Sequence, residues 1–114
     1  MKINKLIDPF EIAHDGKNTS LVMPEVGDYK QHIFCERSDD GFEGNGYDWE
    51  SLAMVLLDER FRKFKNEIKM ASESGMFCMY SKNKKIIEDF AIAFHAICEN
   101  ESEMRDLFSR AEPA

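Results

Sequence analysis

The arrangement of apolar and polar residues predicts strands in the first third of the chain. Residues 9–13 alternate between apolar and polar side chains, residues 15–18 (Asp-Gly-Lys-Asn) have turn-forming chemistry, and residues 19–23 are apolar and β-branched. These segments predict a β-hairpin. A third strand is predicted over residues 29–37, although its three consecutive apolar residues, 33–35, leave open which face is buried.

The middle of the chain changes from a loop to a helix. Residues 38–46 contain three glycines, one asparagine and three acids, which is typical of a loop. A helix is predicted to follow, with Asp48 as its N-cap, and Tyr47 and Leu52 have the spacing of a hydrophobic staple. The helix is predicted to end between residues 58 and 65. Its apolar stripe comprises Trp49, Leu52, Ala53, Leu56 and Phe61.

The second half begins with another hairpin pattern and ends with two helix patterns. Residues 68–71 and 76–81 flank a polar turn, and the second of these segments is apolar on both faces, which predicts a strand in the middle of a sheet. Residues 83–100 have a helical apolar period. Asn100 is predicted to cap a last short helix, with Glu103 at the capping-box position.

The order of these segments predicts the fold class. It contains no alternating strand-helix-strand units, so the sequence favours an α+β fold with an antiparallel sheet and helices packed on one face. A length of 114 residues is the common size of one compact core. We therefore expect residues 1–114 to form a single domain.

Composition narrows the class of protein further. A chain with 43% hydrophobic and 32% charged residues is not disordered, and a net charge of −7 argues against nucleic acid or an anionic membrane as its partner. No apolar run approaches the roughly 20 residues that span a bilayer or the length of a signal peptide, so a cytoplasmic location is expected. Cys35, Cys78 and Cys98 lie in apolar runs, which predicts buried, reduced thiols.

The negative charge is concentrated in one stretch of the sequence. Residues 36–59 carry eight acids and one base, whereas the other ninety residues carry 14 acids and 14 bases. Such a stretch is either a solvated acidic face or a docking surface for a basic partner. Aromatic residues within the acidic run favour docking, because a ring can serve as a buried anchor. The candidate partner-binding residues are Asp39, Asp40, Phe42, Glu43, Tyr47, Glu50, Asp58 and Glu59.

Other site patterns in the sequence are weak. Residues 39–50 loosely match a calcium loop, but Gly41 occupies a position that needs an oxygen ligand. His32 and Cys35 have metal-like spacing, yet on the predicted strand they would point to opposite faces. The basic residues of the segment 60–65 are explained by a helix end, where they complement the helix dipole. The sequence thus predicts no catalytic residues, no metal site and no cofactor.

Three segments carry a resemblance to a known family. Gly-Asn-Gly-Tyr-Asp-Trp at residues 44–49, followed by Ser-Leu-Ala at 51–53, resembles the immunity protein 51 family of bacterial polymorphic-toxin systems. Residues 74–81 and 107–112 are similar to that family as well. The resemblance implies a small cytosolic α+β protein that neutralises a cognate toxin domain, as in contact-dependent inhibition, but it transfers no binding residues.

These observations support two hypotheses of different classes. In the first, the acidic surface binds a basic toxin domain, such as a nuclease, and blocks it by stoichiometric occlusion. In the second, the acids only solvate the protein, and a pocket between the sheet and the helices binds a small ligand or has a regulatory role. A neighbouring gene for a large secreted toxin would favour the first hypothesis, and a co-purified metabolite would favour the second.

Overall fold

A computed structural model describes residues 3–113, which form four strands and five α-helices. Two 3₁₀ turns, Ser38–Asp40 and Arg62–Glu67, flank the long third helix. No helix in this part of the chain is long and apolar enough to cross a membrane. In chain order the elements are α1 (Ile3–Leu6), β1 (Glu11–His14), β2 (Thr19–Met23), α2 (Gln31–Cys35), α3 (Gly46–Arg60), β3 (Lys69–Met70), β4 (Phe77–Ser81), α4 (Lys84–Glu99) and α5 (Glu101–Phe108).

The four strands form one antiparallel sheet in the order β1-β2-β4-β3. Ile12 pairs with Leu21, and Leu21 pairs with Met79, so these apolar side chains lie in one row across the sheet. Both predicted hairpins are present, and β4 lies between β2 and β3 as its two apolar faces predicted. Together with the helices, the sheet confirms the α+β class.

The helical layer covers the face of the sheet that bears Leu21, Met23, Phe77 and Met79, all of which are at most 1% exposed. α3 and α4 pack against β2 and β4 on this side. The opposite face carries Ser20, Val22 and Tyr80 and is only partly covered. The predicted arrangement, with helices on one face of an antiparallel sheet, is therefore observed.

Trp49 lies at the centre of an aromatic core and is fully buried. Its ring stacks on Tyr29 with the planes 14° apart, meets Phe10 edge-on at a centroid distance of 5.8 Å, and contacts Phe34 at 5.0 Å. These rings join the residue before β1, the segment before α2, α2 itself and the first turn of α3 around one residue. The predicted apolar stripe of α3 is confirmed at Trp49, Leu52, Ala53 and Leu56, while Phe61 is partly buried just beyond the helix.

The strand predicted over residues 29–37 is wrong, because α2 occupies Gln31–Cys35. Lys30 precedes the helix in a left-handed conformation, with φ at 55°, and turns the chain out of an extended path. The neighbours Ile33 and Phe34 are both buried, which one helical turn against the core accommodates. His32 and Cys35 therefore lie on a helix and not on a strand. No group of three or more side chains that could hold a metal ion occurs among residues 3–113.

The predicted start of α3 is also wrong. Asn45, not Asp48, is the N-cap, and its side-chain oxygen accepts the Asp48 backbone N–H at 2.9 Å. Tyr47 is 42% exposed and therefore does not pack as a staple. The predicted cap of the last helix is confirmed, since the Asn100 side chain accepts an N–H group from the first turn of α5. Asn83 caps α4 in the same way.

The prediction for the cysteines is confirmed at two of three positions. Cys78 and Cys98 are buried, and all three thiols are free. Cys35 is exposed, because it ends the short helix α2 on the side that faces away from Phe34 and the core. Burial raises the pKa of the Cys78 thiol, and it raises the pKa of the fully buried Cys98 thiol well above the ordinary value.

Candidate partner-binding surface

The loop that precedes α3 is fixed by the guanidinium group of Arg37. This group donates to the Ala111 carbonyl at 2.9 Å and to the Asp40 carboxylate at 2.9 Å. It also lies over the rings of Phe42 and Phe108, at 4.6 and 4.9 Å from their centroids. The acidic loop, residues 38–45, is therefore docked on the end of α5, although the two segments lie far apart in the sequence.

Asp48 has a structural role within the loop. Its Oδ2 accepts the backbone N–H groups of Glu43 and Gly44 at 2.7 and 2.8 Å, and the residue is only 3% exposed. This carboxylate satisfies two donors next to a helix N-terminus, where negative charge is favourable. Asp48 is consequently not accessible for an ion pair with a partner.

The outward face of α3 carries two large exposed apolar side chains. Tyr47 is 42% exposed and Met54 is 39% exposed, and their spacing of seven residues brings both to the same face of the helix. Asp58 follows one turn after Met54 on the same face. Glu50 and Ser51 lie on either side of the row that Tyr47, Met54 and Asp58 form. We define the α3 outer face as Tyr47, Glu50, Ser51, Met54 and Asp58.

The C-terminal segment, residues 109–113, borders the α3 outer face. Glu112 and Arg110 line a shallow depression of about 250 Å³ together with Ser51, Met54 and Asp58. On the other side of this segment, the side chain of Pro113 lies next to Gly41 of the acidic loop. The C-terminal segment therefore connects the acidic loop to the α3 outer face in one surface.

Internal bases neutralise half of the carboxylates in residues 36–59. Asp40 pairs with Arg37, Asp58 pairs with Lys65 at 2.6 Å, and Glu59 forms a bidentate pair with Arg110 at 2.6 and 2.9 Å. Glu36 forms a similar pair with Arg105. These guanidinium groups lower the pKa of Glu36 and Glu59 below the ordinary value.

Some of the acids keep an unneutralised charge. Among residues 3–113, Asp39, Glu43, Glu50 and Glu112 form no ion pair. The first three belong to the predicted acidic stretch, whereas Glu112 comes from the other end of the chain. These side chains supply the negative potential that remains available to a partner.

A second acidic group surrounds Arg110. Glu59 of α3 and Glu103 and Asp106 of α5 line a small depression with Arg60 and Arg110. Asp106 accepts a hydrogen bond from Arg110 at 3.1 Å, and the two carboxylates around this guanidinium group raise the pKa of Arg110. Glu103, Asp106 and Glu112 were missed by sequence reasoning, because their position beside α3 depends on the packing of α5.

Most of the chain matches the model of one protein family. Residues 10–113 match the family model for immunity protein 51. The chain belongs to the immunity protein 51 family. No curated protein and no solved structure matches it. The resemblance carried by residues 44–53, 74–81 and 107–112 is thereby confirmed.

In this immunity protein 51 member, the predicted binding residues do not form one uniform acidic patch. Phe42 is 3% exposed, meets the Phe108 ring edge-on and lies under the Arg37 guanidinium group, so it is a core residue and not an exposed anchor. Asp40, Asp58 and Glu59 are ion-paired. Tyr47 and Glu50 lie on the α3 outer face, while Asp39 and Glu43 are exposed in the loop that leads to it.

Sequence reasoning also overlooked Met54. Its spacing of seven residues from Tyr47 predicts a shared face, but Met54 was not distinguished from the apolar residues of the buried stripe. Exposure identifies it, because within residues 3–113 only Leu6, Tyr47, Met54 and Ile92 are exposed large hydrophobic residues, and two of these lie on the α3 outer face. In this immunity protein 51 member, the outer face of α3 combines exposed apolar side chains with acids.

Proposed function

We propose that this protein binds a cognate bacterial toxin domain and neutralises it by stoichiometric occlusion. Membership of the immunity protein 51 family supports an immunity role. The observation that carries the docking site is the exposure of Tyr47 and Met54 on the α3 outer face, with acids around them. Exposed aromatic and methionine side chains within a polar rim are typical of the centre of a protein interface.

The charge of this surface indicates a basic partner. Asp39, Glu43, Glu50 and Glu112 are not neutralised within residues 3–113, so their potential extends into the solvent around the apolar pair. A field of this kind raises association rates by about 10- to 1000-fold for a partner of opposite charge. Asp58 and Glu59 contribute less in the free protein, because Lys65 and Arg110 already compensate them.

A basic nuclease domain fits this surface best among toxin classes. Nucleases bind a polyanionic substrate with Lys and Arg side chains, and an acidic protein can occupy the same groove. In that arrangement Tyr47 and Met54 would fill an apolar part of the toxin surface while the free carboxylates meet its cations. Inhibition then requires no enzymatic activity of the immunity protein, and it takes place in the cytoplasm of the cell that the toxin reaches.

Protection of bacterial cells against the toxin domain encoded by a neighbouring gene tests the apolar part of the proposal. We expect Tyr47→Ala with Met54→Ala to weaken toxin binding by about tenfold or more and to abolish protection. Ile92→Ala on α4 is the matched control, because Ile92 is 44% exposed on a different element. If the double variant binds and protects as the unaltered protein does, the α3 outer face is not the docking site.

A second pair of variants separates local charge from net charge. Asp39→Lys, Glu43→Lys and Glu50→Lys together reverse three of the free acids and should slow association with the toxin domain, with a smaller effect at high salt. Glu11→Lys, Glu25→Lys and Glu88→Lys change the net charge equally at other positions and should have a weaker effect. Equal effects of the two triple variants in stopped-flow association would contradict a localised acidic docking surface.

A further inference from the structure

Much of the positive charge of the protein is concentrated in one stretch of the sequence. Residues 60–85 carry eight bases and two acids, although the whole chain has a net charge of −7. Among residues 3–113, Lys65 and Lys85 are the bases of this stretch that form ion pairs. The other six bases, Arg60, Arg62, Lys63, Lys69, Lys82 and Lys84, are exposed and have no carboxylate partner there.

A cavity of about 440 Å³ lies within this basic region, beside the 3₁₀ turn Arg62–Glu67 and the edge of the sheet. Lys69 of β3, Tyr80 of β4 and Lys82 contribute to its wall. Asn18 reaches it from the turn between β1 and β2, and Asn66 reaches it from the 3₁₀ turn. Its volume lies in the range of pockets that hold small organic ligands.

The polar groups of the cavity divide into satisfied and available ones. Glu67 accepts a hydrogen bond from the Asn83 side chain at 3.4 Å, and the Ser81 hydroxyl oxygen accepts the Asn83 N–H at 3.0 Å. In contrast, the side-chain amides of Asn18 and Asn66 form no hydrogen bond within residues 3–113. Two ammonium groups and two amides are therefore available to a ligand with anionic oxygens.

The geometry of the sheet places a ring next to these donors. Tyr80 pairs with Lys69 in the β3–β4 ladder, so both side chains lie on the face of the sheet that the helices leave uncovered. Tyr80 is partly exposed on this face, whereas its neighbours Met79 and Ser81 are buried. A flat group bound in the cavity can stack on the Tyr80 ring while an attached anion reaches Lys69 and Lys82.

We propose that this cavity binds a phosphate-bearing small molecule with a planar ring, of the size of a mononucleotide. Lysine ammonium groups and amide donors are the side chains that hold phosphate oxygens, and the Tyr80 ring provides the stacking surface. The cavity wall contains one carboxylate, Glu67, against the two ammonium groups of Lys69 and Lys82, so its local net charge is positive. The site shares no residue with the α3 outer face, so the inference is independent of the proposed function.

Titration of the full-length protein with AMP, adenosine and inorganic phosphate, followed by amide NMR and calorimetry, tests the inference. We expect AMP to bind and to shift the resonances of Asn18, Lys69, Tyr80 and Lys82, while adenosine and phosphate bind at least about tenfold more weakly. Lys69→Gln with Lys82→Gln should weaken AMP binding by about tenfold or more, because each charge-assisted hydrogen bond to phosphate is lost. Lys63→Gln with Lys84→Gln, which removes two bases that do not line the cavity, is the control and should leave AMP binding within about twofold.

Several outcomes would overturn the proposal. These are the absence of AMP binding at millimolar concentration, binding that the control variant weakens as much as the cavity variant, and equal affinity for phosphate and AMP. Tight binding of a single-stranded oligonucleotide without detectable AMP binding would also overturn it, since the basic region would then recognise a polymer. Tyr80→Leu, which keeps an apolar side chain but removes the ring, should weaken AMP binding while leaving phosphate binding unchanged.

Discussion

Gly46, the first residue of α3, lies directly against the backbone carbonyl of Met76 in the turn between β3 and β4. Its N–H donates to the Ser74 carbonyl at 2.9 Å, and a side chain at this position would overlap the carbonyl oxygens of Glu73 and Met76. The start of α3 is thus fixed to the second hairpin by backbone contact alone. This contact explains why a glycine occupies the first position of α3.

We expect Gly46→Ala to destabilise the protein by about 3 kcal/mol, because the added methyl group must displace the backbone of the hairpin turn. Denaturant unfolding followed by circular dichroism measures this free energy. Gly75→Ala is the matched control in the same turn, since a Cβ there meets no atom within 4 Å and its φ is not positive. A destabilisation at Gly46 no larger than that at Gly75 would contradict the close contact.

Asp48 holds the loop before α3 through two hydrogen bonds to backbone N–H groups. We expect Asp48→Ala to lower the free energy of unfolding by about 3 kcal/mol, because the N–H groups of Glu43 and Gly44 lose a charged acceptor. Asp48→Asn retains an acceptor oxygen and should cost about half as much. Equal losses for the two variants in denaturant unfolding would show that these hydrogen bonds do not determine the effect.

Trp49 is fully buried among aromatic rings, and its indole N–H has no hydrogen-bond partner within residues 3–113. We expect Trp49→Ala to cost about 4 kcal/mol, as for other large core rings, and Trp49→Phe to cost about 2 kcal/mol. The phenylalanine variant keeps stacking with Tyr29 and removes a polar group that is buried without a partner. Denaturant unfolding followed by circular dichroism compares the variants, and equal costs would contradict the prediction that a phenylalanine ring recovers part of the packing.

Local sequence patterns predict much of this fold because the hairpins and the two C-terminal helices carry their own signals. The polar turn at residues 15–18 and the asparagines before α4 and α5 act within a few residues of the chain. α2 carries no such signal. Ile33 and Phe34 are buried together only because a single helical turn places both in the core, with Phe34 against Trp49, which is a tertiary effect.

The candidate surface is less predictable from sequence for a related reason. The concentration of acids is local, but the bases that neutralise it are not. Arg105 lies 69 residues from Glu36, and Arg110 lies 51 residues from Glu59. The exposure of Tyr47 and Met54 likewise depends on which side of α3 meets the sheet.

Ion pairs between Glu36, Glu59 and Glu101 and bases far from them in the sequence make stability sensitive to acid. Bound bases lower the pKa of Glu36, Glu59 and Glu101 from the ordinary value of 4.5, so the unfolded chain takes up these protons before the folded protein does. The stabilisation is complete above pH 4.5 and is lost as the pH falls through the folded pKa values. We expect the melting temperature to decline below pH 4.5, and to decline less steeply in the triple variant Glu36→Gln, Glu59→Gln and Glu101→Gln. An identical pH profile for that variant would assign the acid sensitivity to other groups.

The three thiols differ in their access to solvent, and a thiol reagent distinguishes them. Cys35 is exposed at the end of α2, whereas Cys78 is 9% exposed and Cys98 is fully buried. Burial raises the pKa of the latter two, so at neutral pH they present neither the surface nor the thiolate that a disulfide reagent needs. We expect the folded protein to release one equivalent of chromophore from Ellman's reagent rapidly, and the denatured protein to release three.

The variant Cys35→Ser identifies the reactive thiol. It should abolish the rapid phase without changing the melting temperature, because the side chain packs against nothing in the core. Cys98→Ser is the matched change at a buried site and should leave the rapid phase intact while destabilising the protein, since a hydroxyl group replaces a thiol within the apolar core. A rapid phase that persists in Cys35→Ser would mean that α2 or the covering helices open readily enough to expose a core thiol.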